Sequence, residues 1–266
     1  MVKILLVLIL FLTGCHDQPW QLRDLHLKEE TESRQIIALI DTGLSSQLLK
    51  KYDDRILDVY NVIKGCEDVE DYHGHGSEMF LLGVSNQYGL LKRGQYVIIK
   101  AIDDQGETEP HYLYLALKKA EEMGANIVNM SLGGMNEDRE VNRQIEHMVK
   151  HHIILLAAAG DFGDKDVLYP ACNKHVIGVG AYDRDHEIWK ECNTGKGLDC
   201  LFPGVNLNLG KHSVSGTSYA CMIASCYTVR LLDYYAKRDK TLSFGQIKRL
   251  LSREDRNWKC RESQKY

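Results

Sequence analysis

Proline is scarce in this chain, with 4 among 266 residues, and glycine stands at 22. That excludes proline-rich spacers and long low-complexity linkers. The longest apolar run, Ile4 to Leu12, covers nine residues, against the roughly twenty that a spanning helix needs. Lys plus Arg total 33 and Asp plus Glu 37, a net charge of −4. There is thus no basic excess of the kind that wraps nucleic acid, and no nucleic-acid partner is expected. No C-x-x-C pair occurs, which argues against a zinc ribbon or a dithiol redox motif. No internal repeat is visible. What is present is an ordinary globular balance, 44 % apolar and 26 % charged. Disordered and fibrous classes are excluded, and one large domain can bury a sizeable core.

The N-terminus reads as a targeting segment. Lys3 precedes the apolar run, which ends in Leu12-Thr13-Gly14-Cys15, the pattern of a short positive start, an apolar stretch and small residues. The end resembles the bacterial lipobox. This implies a signal peptide over 1–14, a lipid on Cys15 and a domain tethered to the outer face of a bacterial membrane. Residues 15–34 are polar and charged and read as a tether and N-terminal arm. Seven other cysteines remain, an odd number. Export permits disulfides, and Cys192 and Cys200, which flank a glycine-rich loop, are the expected pair.

From residue 35 onward, apolar runs alternate with helical spacing. Ile36–Ile40, Tyr96–Ile102, Ile127–Met130, Ile153–Ala159 and Val176–Ala181 read as buried strands. Leu113, Ala116, Leu117 and Ala120 mark a helix over 110–123 that Gly124 stops, and 138–151 is a charged amphipathic helix. Continuous apolar strands separated by helices indicate βαβ units and a mainly parallel sheet covered on both faces. The prediction is a single three-layer α/β domain over 35–252, followed by a charged tail, 253–266. In such sheets functional groups collect beyond the carboxyl ends of the strands, where Asp41, Ser131 and Asp161 fall.

Three short stretches carry chemistry: Ile40-Asp41-Thr42-Gly43, Asp71-Tyr72-His73-Gly74-His75-Gly76-Ser77, and Ser215-Gly216-Thr217-Ser218-Tyr219-Ala220. Singly each is weak. Asp-Thr-Gly also marks aspartic proteases, but that mechanism needs two such carboxylates and here there is one copy. His73, His75 and Glu78 have the types of a metal triad, yet no further ligand run accompanies them. In the order Asp, His, Ser they supply what nucleophilic acyl transfer needs: a hydroxyl, an imidazole to take its proton and a carboxylate to hold the imidazole.

With these stretches, and with Asn129-Met130-Ser131-Leu132-Gly133-Gly134, Ala157-Ala158-Ala159-Gly160, Tyr169-Pro170-Ala171 and Pro203-Gly204-Val205, the chain resembles the subtilase family of serine peptidases over almost all of 35–252. The resemblance implies a seven-stranded, mainly parallel sheet. It also implies serine endopeptidase activity on an exported peptide or protein, with Ser218 as nucleophile, His75 as general base and then acid, and Asp41 orienting His75. Ser131, Leu132 and Gly133 would pair with the substrate backbone as an added strand. The segment around Gly106 would supply the second pairing edge.

The chain departs from the family pattern in several places. The oxyanion position, an Asn in the family, is Asp161. An ionised carboxylate offers no donor there, whereas a protonated one does, so the expected optimum lies on the acid side of neutral. This substitution is also what would support the alternative of a peptide-binding pseudoenzyme. The Asp that binds calcium in many subtilases, nine positions past the catalytic Asp, is Lys50, while Asn86, Tyr88 and Leu90 resemble the loop that supplies the other ligands. No metal or other cofactor is therefore expected. Leu168 replaces the glycine at the base of the S1 pocket and would restrict P1 to small or modest apolar residues. Asp103, Asp104, Glu107 and Glu109 crowd the second edge, where they would either favour basic residues upstream of the cut or simply be solvated. Met222 takes the place of a proline after the nucleophile. Between Cys15 and the first strand there is no room for a pro-domain, so the domain is expected to fold unaided or with a helper acting in trans.

Overall fold

The computed structural model describes residues 19–25, 33–210 and 212–252. Cys15, the expected signal peptide over 1–14 and the expected tail over 253–266 lie outside them. The elements run α1 (Trp20–Asp24), β1 (Ile36–Asp41), α2 (Ser46–Lys51), β2 (Ile56–Asn61), α3 (His75–Val84), β3 (Gln95–Lys100), α4 (Pro110–Glu122) and β4 (Ile127–Met130). They continue through α5 (Arg139–Lys150), β5 (Ile154–Ala158), β6 (Ile177–Tyr182), β7 (Cys200–Pro203), β8 (Leu207–Asn208), β9 (Ser213–Val214), α6 (Thr217–Ala236) and α7 (Phe244–Leu251). The seven-stranded sheet has the order β2-β3-β1-β4-β5-β6-β7, and each neighbouring pair is parallel. β8 and β9 form a separate antiparallel hairpin.

Strand alternation sends side chains to two cores. Ile37 and Leu39 of β1 face α3, α6 and α7, in a core that includes Met79, Phe80, Ile223 and Leu251. Ala38 and Ile40 face α4 and α5, with Leu113, Leu117, Ile145 and Met148. α5 buries Val141, Ile145 and Met148 on one stripe, and the Asp138 side chain caps it by accepting from the N–H groups of Glu140 and Val141, two donors left open at a helix start. α6 is a 20-residue helix buried along most of its length. It is apolar nearly all round because sheet and flanking helices cover it. No helix of the described residues is long and apolar enough to cross a membrane.

One expectation changes, and part of the N-terminal arm gains a definite place. Residues 19–25 pack on the domain: Trp20 and Leu25 are buried, Trp20 Nε1 donates to the Asn206 carbonyl at 3.2 Å, and the Tyr182 hydroxyl donates to Asp24. The Cys192–Cys200 disulfide is not formed. Cys192 is a free thiol that donates to the Asn193 carbonyl at 3.3 Å; burial pushes its pKa up to about 11. It belongs to the core under α4 and α5, whereas Cys200 belongs to the core on the other face. The sheet itself separates them.

Candidate active site

The site lies beyond the carboxyl ends of β1 and β4, where α3 and α6 begin. Asp41 ends β1 and is buried; His75 opens α3. His75 Nδ1 lies 2.7 Å from Asp41 Oδ1. A carboxylate only accepts, so Nδ1 carries the proton and Nε2 is left as the base. Asp41 Oδ1 also accepts from the Thr42 N–H at 2.8 Å. Burial lowers the His75 pKa, but the charge and hydrogen bond of Asp41, with Glu78 and Asp71 adding, outweigh it and lift the pKa from 6.5 to about 9.

Two glycines permit this approach. A Cβ on Gly76 would lie 2.3 Å from the Gly43 carbonyl oxygen, and one on Gly43, at φ +114°, would lie 2.2 Å from the Val69 carbonyl oxygen. Only hydrogen fits at either position. Thr42 then clips the two stretches together: its Oγ1 accepts from the Gly76 N–H at 2.9 Å and donates to Asp71 Oδ1 at 2.8 Å. Asp71 also accepts from the Gly74 N–H, the Ser77 N–H and the Ser77 hydroxyl. Burial works to raise its pKa, yet these bonds hold it below the ordinary carboxylate value. On the sheet side, the Lys100 ammonium, buried beside β1, donates to the Thr42 carbonyl at 2.6 Å and to Asp104 Oδ1 at 2.7 Å.

Ser218 sits in the first turn of α6. Its hydroxyl donates to the Ser131 carbonyl at 3.1 Å, and the Ser131 hydroxyl donates back to the Ser218 carbonyl at 2.9 Å. Asn129 Nδ2 donates to Ser131 Oγ at 3.0 Å, so the end of β4 is bonded to the start of α6. The adjacent Tyr219 ring lies 6.3 Å, centroid to centroid, from the His75 ring. Its hydroxyl donates to Glu78 Oε2 at 2.6 Å, and Glu78 Oε1 pairs with His212 Nε2 at 3.2 Å. Glu78 therefore works between α3 and α6. His73, His75 and Glu78 do not form a metal-ligand cluster among the described residues.

Asp161 follows β5 and is exposed. Its Oδ1 accepts from the Thr217 N–H at 2.9 Å and from the Thr217 hydroxyl at 2.5 Å, so the carboxylate rests against the positive end of α6. The Gly160 N–H donates to the same Thr217 hydroxyl oxygen at 3.1 Å. Buried Asn193 holds the loop, accepting from the Phe162 N–H and donating to the Asp166 carbonyl.

Ser131, Leu132 and Gly133 leave the sheet without a pairing strand among the described residues. Leu168 is buried beside Gly133 and Gly160: a Cβ on either glycine would come within 2.9 Å of its side chain. Gly106, at φ +86°, lies against His73, with its would-be Cβ 3.1 Å from Nε2. Its N–H donates to the Asp103 carbonyl at 3.2 Å, inside a tight turn closed by Asp103 N–H to Glu107 carbonyl. Sequence reasoning missed Asp71, Lys100, Asn193, Thr217 and Tyr219 as parts of this site. Asp71, Thr217 and Tyr219 were signalled by their position inside the motifs, whereas Lys100 and Asn193 lie outside all three and left no sequence signal.

The calcium ligands of the resemblance do not fit an ion here. Lys50 is exposed at the end of α2, Tyr88 and Leu90 are buried, and the Leu90 carbonyl accepts from Arg230 Nη1 at 3.1 Å. A guanidinium already supplies positive charge to that oxygen.

The subtilase family profile matches residues 32–258. A cell wall-associated protease of Bacillus subtilis (strain 168) is 29 % identical over 218 residues, covering 77 % of this chain and 24 % of the relative. An intracellular serine protease of Paenibacillus polymyxa is 30 % identical over 169 residues, covering 58 % of this chain and 52 % of the relative. The chain thus spans about half or less of the length of these two relatives. A solved cold adapted subtilisin-like serine proteinase superposes with a TM-score of 0.76 at 20 % identity, over 88 % of this chain and 90 % of that one; at that identity the likeness concerns the fold. The mainly parallel seven-stranded sheet and the match over 32–258 together show that the chain belongs to the subtilase family.

Proposed function

We propose that the chain is a serine endopeptidase that cuts peptide bonds by acyl transfer. The observation that carries this is the 2.7 Å bond from His75 Nδ1 to buried Asp41, beside helix α6, whose first turn carries Ser218. His75 Nε2 takes the Ser218 proton once the hydroxyl leaves the Ser131 carbonyl, a rearrangement ordinary for a site without substrate. The oxygen attacks the scissile carbonyl, the N-terminus of α6 faces the developing oxyanion, and the imidazolium returns the proton to the leaving amine. Asp41 stabilises the imidazolium without taking its proton.

The free edge at Ser131–Gly133 suits a substrate lying as an added strand, with backbone bonds for affinity and pockets for specificity. Leu168 between Gly133 and Gly160 suits a small P1 residue. Asp104 is paired with Lys100, and Asp103 is used by its own turn, so a preference for basic upstream residues rests on the exposed Glu107 and Glu109.

A lipid on Cys15, placing the domain on the outer face of a bacterial membrane, and a folding helper in trans are parts of the same proposal. They rest on the sequence alone. The test of activity is labelling by a fluorophosphonate, which reacts with an activated serine. Labelling and casein cleavage that vanish together in Ser218→Ala are expected. An unlabelled wild-type protein that still binds peptides would overturn the reading in favour of a pseudoenzyme.

A further inference from the structure

Helices α4 and α5 cover the sheet face opposite α3 and α6, and both run back from the carboxyl to the amino ends of the strands. Their last turns therefore lie at the end of the sheet remote from the catalytic cleft. Three metal-ligating side chains meet there. Glu121 projects from α4. His147 lies in the last turn of α5 and His151 is the residue that caps its C-terminus, four positions on and on the same side of the helix end.

His151 Nδ1 lies 2.9 Å and His147 Nε2 3.2 Å from the same oxygen, Glu121 Oε1. All three atoms fall within 4.8 Å of one another, and the two imidazole rings stand 4.2 Å apart, edge to face. We propose that Glu121, His147 and His151 form a binding site for a divalent transition ion of the zinc type, with water completing the coordination.

The geometry supports this. Bonds of about 2.0–2.1 Å to a tetrahedral ion place neighbouring ligand atoms about 3.3–3.4 Å apart. The two contacts to Glu121 need only a small widening to admit the ion. Two imidazoles and one carboxylate suit zinc and its neighbours and do not suit calcium or magnesium, which require oxygen shells. The carboxylate is already oriented, because Gln144 Nε2 donates to Glu121 Oε2 at 2.8 Å. Such supporting bonds hold metal ligands in register. The scaffold is firm: α5 is capped by Asp138 and anchored by Val141, Ile145 and Met148. About half of each imidazole is exposed, at 53 % and 54 %, so the fourth position opens to solvent. A bound ion would lock α4 to α5.

Zinc chloride titrated into the full chain, by calorimetry and by thermal unfolding, tests the site. One ion per chain and a zinc-dependent rise in Tm are expected. His147→Ala and His151→Ala each weaken binding by at least ~10-fold, and Glu121→Gln and Gln144→Ala weaken it less. Peptidase activity of the variants without added metal serves as the folding control, since none of these residues belongs to the cleft. Zinc binding unchanged in the His147→Ala, His151→Ala double variant would place the ion elsewhere and overturn the proposal. A wild-type protein whose Tm zinc does not raise would do the same.

Discussion

The Tyr219 hydroxyl donates to Glu78 at 2.6 Å, and this bond joins the residue after Ser218, the proposed nucleophile, to the helical turn that carries His75, the proposed base. Glu78 also adds to the field that raises the His75 pKa. Tyr219→Phe removes one hydrogen bond to a charged group, worth about 2 kcal/mol, and leaves the carboxylate with His212. A lower Tm and a several-fold lower kcat are expected, together with a shifted acid limb of the pH–rate profile. A fall in Tm with kcat and the pH limb unmoved would show that the bond is structural only.

In the proposed mechanism His75 sets a pH window for activity. Its neutral form is the base, and its pKa is lifted to about 9. We expect kcat/KM to climb from neutral pH and to level only near that value, since this parameter reports the free enzyme. The stability linkage has the opposite sign. A raised folded-state pKa contributes stability that is complete below the unfolded value of about 6.5 and is lost as pH rises through about 9. Activity therefore grows as this stabilisation fades. A rate plateau already reached at pH ~7 would show that Asp41 acts on His75 less strongly than the geometry implies.

Asp161 pulls the other way. A protonated Asp161 would favour acid conditions, while neutral His75 favours alkaline ones, and Asp161→Asn separates the two. Its amide oxygen can still accept from Thr217, while its NH2 becomes available to the oxyanion. An increase in kcat approaching 10²-fold is expected, the scale coming from the reverse change in subtilisin, with the His75 limb unmoved. No gain in kcat would mean that the oxyanion is held entirely by backbone N–H groups.

Much of this was legible in the sequence. The strands β1, β3, β4, β5 and β6 announce themselves as mostly apolar runs, interrupted by Asn129 in β4 and Lys100 in β3, because both sheet faces are covered. The edge strand β2 does not: Leu57 is 49 % exposed and Asp58 interrupts the run. β7 is only four residues long. The Asp, His and Ser motifs are readable because acyl-transfer chemistry restricts the residue types and the family fold fixes their order along the chain. Their supports are less so. Tyr219 and Glu78 lie 141 positions apart, and Thr42 and Asp71 29; a hydrogen bond across folded elements leaves no periodic trace. The Cys192–Cys200 pairing failed for a related reason, since closeness in sequence says nothing about which sheet face a side chain joins.

Calcium should leave the protein indifferent. Lys50 stands at the carboxylate position, and Arg230 holds the Leu90 carbonyl, so millimolar calcium is expected to leave Tm unchanged. Restoring the carboxylate with Lys50→Asp alone should not create a site, because the guanidinium still competes for that oxygen. A calcium-dependent rise in the Tm of the wild type would show that the loop rearranges around the ion.

Leu168 is the most direct handle on specificity. Its side chain lies against both Gly133 and Gly160, the flat walls between which a P1 side chain would insert, and it is 8 % exposed. Leu168→Ala removes that plug. Truncating so buried an apolar side chain should cost about 2–4 kcal/mol of stability, and the vacated volume should admit larger rings. Profiling with a peptide library is expected to show a preference for small apolar P1 residues in the wild type and a gain for Phe and Tyr in the variant, carried mainly by kcat/KM. If the variant is destabilised as expected while its P1 profile stays the same, Leu168 is a core residue and the substrate side chain enters elsewhere.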